Sequence, residues 1–206
     1  MFYYCENGKI MKALAILDRM ESRGCFPNRV TVSTLIKHLC GEGNIEEAYK
    51  LIDKVVANGS VSRNECYSSL VLSLLQNKYM GEAKKLFSWM LGNQIKPDGL
   101  ACRFFIKQLY AEGEILNGFA YFLEMEKTDC LVSVDSDIYS ILVLGLYERG
   151  HLVEATRLLN AMVKRNIKLK VSNANAIFEV LQKSGETELA MHLQGVHDHV
   201  ERKDSI

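Results

Sequence analysis

The side chains best equipped for chemistry are six cysteines and a loose histidine group, His192, His197 and His199. Paired thiols would build a disulfide framework, and thiolates with imidazoles at short regular spacing would hold zinc. Cys5, Cys25, Cys40, Cys66, Cys102 and Cys130 contain no C-x-x-C pair and stand among apolar residues at helical spacing. They read as reduced, mostly buried small hydrophobes in a reducing compartment. The histidines have no Cys or acidic partner at ligand spacing, so no metal is expected. A Gly-rich phosphate loop and a nucleophile elbow are both missing, so the chain is read as no enzyme, with no cofactor and no small-molecule substrate.

Charge narrows the partners. Lys and Arg total 25 against 25 Asp and Glu, which leaves no basic field to draw nucleic acid from a distance; any RNA binding must come from a local surface. No run of about 20 apolar residues is free of charge, so no membrane span is expected. The opening residues MFYYCENGKIMK lack the Arg- and Ser-rich, acid-poor character of a transit peptide. With 48% hydrophobic and 24% charged residues over 206 positions, the composition suits a soluble globular protein with a sizeable core.

The elements that position these residues announce themselves as a repeat. Gly8 and Gly43 are 35 apart, Gly43 and Gly113 are 70 apart, Gly113 and Gly150 are 37 apart, and Gly150 and Gly185 are 35 apart. Ala13, Ala48, Ala83, Gly118, Ala155 and Ala190 repeat the same steps, with one two-residue insertion shared by both ladders. Pro27 and Pro97 stand two periods apart, each followed by Asn28 or Asp98, and mark turns between repeats.

Within each unit, apolar residues recur at helical spacing, as in Leu35, Ile36 and Leu39 or Leu142, Val143 and Leu146. After the glycine, which suits the left-handed conformation closing a helix, a second stripe begins: Ala48, Leu51, Ile52, Val55, then Ala83, Leu86, Phe87, Met90. Each unit is thus an antiparallel helix pair that must stack on its neighbours. The expected fold is all-α, a right-handed superhelical solenoid of helix-turn-helix repeats of about 35 residues. Trp89 beside the seam reads as packing rather than as a platform for a base.

The stretch VTVSTLIKHLCGEGNIEEAYKLIDKV, Val30 to Val55, resembles the two helices of a pentatricopeptide repeat, and the resemblance extends over nearly the whole chain. Full units close to 35 residues, with no editing-type extension, resemble the family's P class and its restorer-of-fertility-type members. A tetratricopeptide array competes, but its period is 34 and its Trp, Gly and Tyr signature is absent. The register predicts a partial repeat at 1–28, full repeats at 29–63, 64–98, 99–135 (with the insertion) and 136–170, and a last repeat with C-terminal tail at 171–206. Met1 falls inside what should be a first helix, so the chain is expected to be a fragment, a truncated product or the end of a longer array.

The resemblance implies that each repeat reads one base of single-stranded RNA with two side chains, one early in the first helix and one in the loop closing the repeat. The slots are Ser33 with Arg63, Ser68 with Asp98, Arg103 with Asp135, and Ser140 with Lys170; Asn28 closes the partial repeat and Asn175 opens the last. Ser68 with Asp98 resembles the combination associated with guanine. Arg63, Arg103 and Lys170 are long cations where short polar groups are expected; phosphate contact, pairing with a neighbouring carboxylate and plain solvated charge all remain open for them. The row that packs against base faces reads Val30, Glu65, Leu100, Asp137 and Ser172, of which Val30 and Leu100 fit. The row expected to be basic reads Gly41, Gln76, Ala111, Glu148 and Lys183, and only Lys183 fits.

Two functions stand side by side. One is a single-stranded RNA binder acting in organellar transcript processing, stability or translation; the restorer-like resemblance leans to the mitochondrion, with the chloroplast as the alternative. The other is a protein-interaction solenoid with a degenerate RNA groove, favoured by Glu65, Asp137, the irregular pairs and the zero net charge.

Overall fold

The computed structural model describes residues 2–128, 136–165, 167, 171–185, 187 and 191. The described chain is helical: α1 Phe2–Glu6, α2 Ile10–Glu21, α3 Arg29–Gly41, α4 Ile45–Ala57, α5 Arg63–Gln76, α6 Met80–Gly92, α7 Gly99–Ala111, α8 Ile115–Lys127, α9 Ser136–Glu148, α10 Leu152–Lys164 and α11 Val171–Ser184. Two compact units divide between Phe105 and Ile106. In the first, α3 packs on α1, α2, α4 and α5; in the second, α9 packs on α8, α10 and α11.

Turn chemistry explains where the helices stop. Gly8, Gly43, Gly113, Gly150 and Gly185 all have φ between 65° and 81°, the left-handed region in which a Cβ would be strained. After α3 the Gly43 amide donates to Cys40 O at 3.1 Å and the Asn44 amide to Leu39 O at 2.8 Å, which satisfies carbonyls the helix end would otherwise orphan. The 70-residue gap in the glycine ladder is filled by Lys78 at φ 63°, a lysine holding the conformation that glycine holds elsewhere. A second series closes the even helices, with Gly24 and Gly59 at φ 74° and 71° and Gln94 at 57°.

The starts are capped by side chains. Asn28 Oδ1 accepts the Thr31 amide at 2.9 Å, and Asp98 Oδ1 accepts the Ala101 amide at 2.8 Å. At α5 the Ser62 hydroxyl accepts the Glu65 amide while Glu65 Oε2 accepts the Ser62 amide, a reciprocal capping box. Pro27 and Pro97, both buried, immediately precede two of these caps.

The stripes are core. Leu35, Ile36, Leu39, Leu70, Val71, Leu74, Phe105, Ile106 and Leu109 are fully buried, and Leu142, Val143 and Leu146 repeat this in the second unit. Burying each such side chain is worth about 1.5–3 kcal/mol relative to exposure, so the stacked stripes dominate stability. Ala13, Ala48, Ala83 and Ala155 have no exposed surface, as a close helix crossing requires. Gly118 takes that place in α8, where an added Cβ would meet Leu142 at 3.4 Å and Ile106 and Leu109 at 3.8 Å. Gly145 in α9 has less room: its Cβ would come within 2.7 Å of the Tyr110 ring and 2.9 Å of Ile115.

Candidate nucleic-acid interface

The described residues singled out for base reading fall within the caps and first two turns of α3, α5, α7, α9 and α11. Asn28 is exposed, with its side chain engaged as the cap of α3. Two residues on, Val30 is 62% exposed, and Leu100 in the first turn of α7 is 44% exposed, so both offer apolar surface to solvent. Glu65 in the same row belongs to the α5 capping box, and Asp137 stands in the first turn of α9, where the helix dipole favours an acid. Helix-start chemistry therefore accounts for the two residues least suited to packing on a base.

The hydroxyl slots differ in accessibility. Ser33 is half-buried and its Oγ lies 2.8 Å from Ser69 Oγ. Because Ser69 donates its single proton to Glu65 O at 2.8 Å, Ser33 must donate to Ser69. Ser68 is buried, and its Oγ accepts the Asp98 backbone amide at 2.9 Å across 30 residues. Ser140 is buried as well and donates to Ser136 O at 2.8 Å, one turn back along α9.

Ser68 and Asp98 are thus in direct contact, with Asp98 nearer to solvent. Arg63 is exposed as the first residue of α5, Arg103 is half-buried on α7, and Asn175 is exposed on α11. Asp135 and Lys170, the partners assigned to Arg103 and Ser140, lie outside the described residues, as do Ala190, His192, His197 and His199. The helix α11 includes Ser172, whose side chain is not described.

One residue of this surface was missed by the sequence reading. Arg29 Nη2 donates to Asp98 Oδ2 at 2.8 Å, and Nη1 lies 3.6 Å from Glu65 Oε1. The sequence signal is thin: the residue after the closing slot reads Arg29, Asn64, Gly99, Ser136 and Val171, with a single long cation. The Ser62 hydroxyl, the Ser62 amide and the Arg29 charge hold the Glu65 carboxyl below its ordinary value, against the opposing effect of desolvation.

The row expected to anchor phosphate is poor in free cations. Glu148 accepts the Tyr110 hydroxyl at 2.7 Å, and Lys183 lies 4.0 Å from Glu179 on its own helix. Gln76 lines a cavity of about 480 Å³ in the first unit, where Lys37 and His38 share the wall with Glu6 and Glu42. The mixed signs give that cavity no clear preference for an anion.

Among the described cysteines, only Cys25 offers an accessible thiol. Cys5, Cys40, Cys66 and Cys102 are buried and Cys25 is exposed, each as a thiol rather than half of a disulfide. Burial pushes the Cys40 and Cys66 thiols up to about 11, so neither is a thiolate at neutral pH. Among the described residues no group of three or more His, Cys, Asp or Glu could hold a metal ion, and no helix is long and apolar enough to cross a membrane. Trp89 meets Tyr67 edge-on at 5.0 Å and keeps part of its surface exposed.

Comparisons with known proteins bear on the whole arrangement. A PPR repeat family model matches residues 1–41, and the PPR repeat model matches residues 30–60, 65–95 and 137–167. The pentatricopeptide repeat-containing protein At5g47360 of Arabidopsis thaliana is 41% identical over 175 residues, covering 84% of this chain and 37% of that protein. The crystal structure of PPR10 from maize superposes with a TM-score of 0.50 at 18% identity over 98% of this chain and 28% of that one. PPR10 in complex with an 18-nt psaJ RNA element superposes with a TM-score of 0.51 at 17% identity over 97% of this chain and 34% of that one. The chain therefore spans about a third of the length of the relatives it matches. With the all-helical repeat of helix pairs and the family models agreeing over more than half of its residues, this chain belongs to the pentatricopeptide repeat family.

Proposed function

We propose that the chain binds single-stranded RNA along the first turns of its odd-numbered helices, shielding the strand without cutting it. The observation that carries the reading is the start of α7. There a partly exposed Asp98 carboxylate, anchored on Ser68, stands two residues from the exposed Leu100 side chain. An acceptor pair for a base edge beside an apolar surface for a base face is the combination that single-strand recognition uses. In this reading Asp98 meets the base and Ser68 fixes the turn that presents it. PPR10, which shares the fold, was crystallised with an RNA element, and that property of a relative supports the proposal.

Each well-made base contact is worth about 1–3 kcal/mol. With Ser68 and Asp98 as the one described pair that matches a family combination, the chain's own binding is expected to be weak, salt-sensitive and selective at a single nucleotide. The family resemblance supports a role for the whole protein in organellar transcript processing, stability or translation, as a P-class, restorer-like member acting in the mitochondrion. A fluorescent fusion of the full-length protein tests the compartment.

A second reading, a protein-interaction helical solenoid with a degenerate groove, draws on the buried hydroxyls of Ser68 and Ser140 and on the acids Glu65 and Asp137 in the row that would pack against base faces. Fluorescence anisotropy with a randomised single-stranded RNA pool and matched DNA, at two salt concentrations, separates the two. Saturable, RNA-preferring binding with guanine enriched at one position supports the groove. No binding at tens of micromolar folded, helical protein rejects it in favour of the protein scaffold.

A further inference from the structure

Asp98 is held by groups from three helices. Arg29 of α3 donates to Oδ2 at 2.8 Å, and the Ala101 amide of α7 donates to Oδ1 at 2.8 Å. Ser68 of α5 receives the Asp98 amide at 2.9 Å. Arg29 also lies 3.6 Å from Glu65, so one guanidinium stands between the Glu65 and Asp98 carboxylates. The clamp is open to solvent, with Arg29 51% and Asp98 30% exposed as side chains.

We propose that Arg29 is a positioning and specificity residue for the nucleotide met by Asp98, a role that rests on the RNA-binding reading above. The Watson–Crick edge of guanine carries two adjacent donors, N1–H and the N2 amine, which one carboxylate accepts in parallel. Adenine places a donor beside an acceptor, and the acceptor would face the carboxylate unpaired. That discrimination survives only if the carboxylate keeps one plane, because a freely turning carboxylate accepts any donor. Arg29 and the Ala101 amide each take one lone pair and leave the others for a ligand. The guanidinium also cancels one of the two negative charges that would repel the strand's phosphates.

An ion pair this exposed adds little to stability, so removing it leaves the fold intact. The test enriches a randomised single-stranded RNA pool of about ten nucleotides on the wild-type chain and on Arg29→Met, Arg29→Lys and Glu65→Gln proteins, followed by sequencing. The readout is the guanine-to-adenine ratio at the selected position, which does not depend on the fraction of folded protein. Wild type enriches guanine at one position, and Arg29→Met lowers that ratio about fivefold or more. Arg29→Lys keeps the charge but loses the planar fork and falls between. Glu65→Gln keeps the ratio.

An Arg29→Met protein with the wild-type ratio overturns the role and leaves the RNA reading standing, as does a uniform loss of affinity with the ratio unchanged. A wild-type chain that enriches no base at any position overturns the RNA reading and this role with it.

Discussion

Two glycines in the second unit respond oppositely to the same methyl group. Replacing an interior helical Gly with Ala is worth about 0.5–1 kcal/mol through reduced backbone freedom in the unfolded chain. At Gly118 the new Cβ meets Leu142 at 3.4 Å and Ile106 and Leu109 at 3.8 Å, ordinary contact distances, so Gly118→Ala should keep that gain. At Gly145 the Cβ would stand 2.7 Å from Tyr110 Cδ2 and 2.9 Å from Ile115 Cγ1 and Cδ1, roughly 1 Å inside normal carbon contact. Overpacking of this kind costs about 1–3 kcal/mol. Ile115 is itself buried and has little room to retreat, so Gly145→Ala should lose about 0.5–2 kcal/mol net. Urea unfolding followed by far-ultraviolet circular dichroism should therefore move the two midpoints in opposite directions from wild type. A Gly145→Ala protein at least as stable as wild type would refute the packing argument, and a Gly118→Ala protein destabilised by more than about 1 kcal/mol would refute the propensity argument.

Other consequences are as direct. Lys78→Gly should raise stability by about 0.5–1 kcal/mol, because a left-handed lysine costs about 1–2 kcal/mol and the glycine's extra unfolded freedom offsets part of the relief; a lowered urea midpoint counts against it. Labelling by a thiol-specific disulfide reagent at pH 8 should modify Cys25 quickly and reach Cys40 and Cys66 only in denaturant, and fast labelling of either buried thiol would contradict their burial. Ser62→Ala should cost about 1 kcal/mol through loss of the capping box, read from the same urea curves. Because the Glu65 carboxyl is depressed in the folded state, its contribution is present above its unfolded value near 4.5 and is lost as pH falls through the lower folded value. A Glu65→Gln protein should therefore differ from wild type in stability at pH 6 and converge on it in strong acid; a gap that persists unchanged there excludes the linkage.

The helix pairs were legible because two features of different physics, left-handed turns and close helix crossings, share one period. Lys78 and Gln94 were not legible as turn residues, since nothing in their side chains signals a positive φ; the surrounding helices impose it. The burial of Ser68, Ser69, Ser73 and Ser140 was hidden for another reason. Hydroxyls can enter a packed seam at low cost by bonding a carbonyl one turn back, as Ser69, Ser73 and Ser140 do. The family resemblance implied Asp98 and Ser68 as partners, whereas the reach of Arg29 across 69 residues depends on how α3, α5 and α7 begin side by side. No one-dimensional pattern encodes that distance.

The bond from Arg29 to Asp98 also changes how the first unit should yield under load. Stacked hairpins normally couple only to adjacent hairpins, and force along the stack opens whichever joint is weakest. Here the guanidinium steps over α5 and ties the start of α3 to the start of α7, so it works as a strut in parallel with two ordinary joints. The tie is weak, so it bears on the spacing of the first turns within this unit and not on the strength of its apolar joints. Screening by concentrated salt would slacken this strut without touching the apolar joints beneath, making the spacing of the first turns, rather than their survival, the quantity that salt controls.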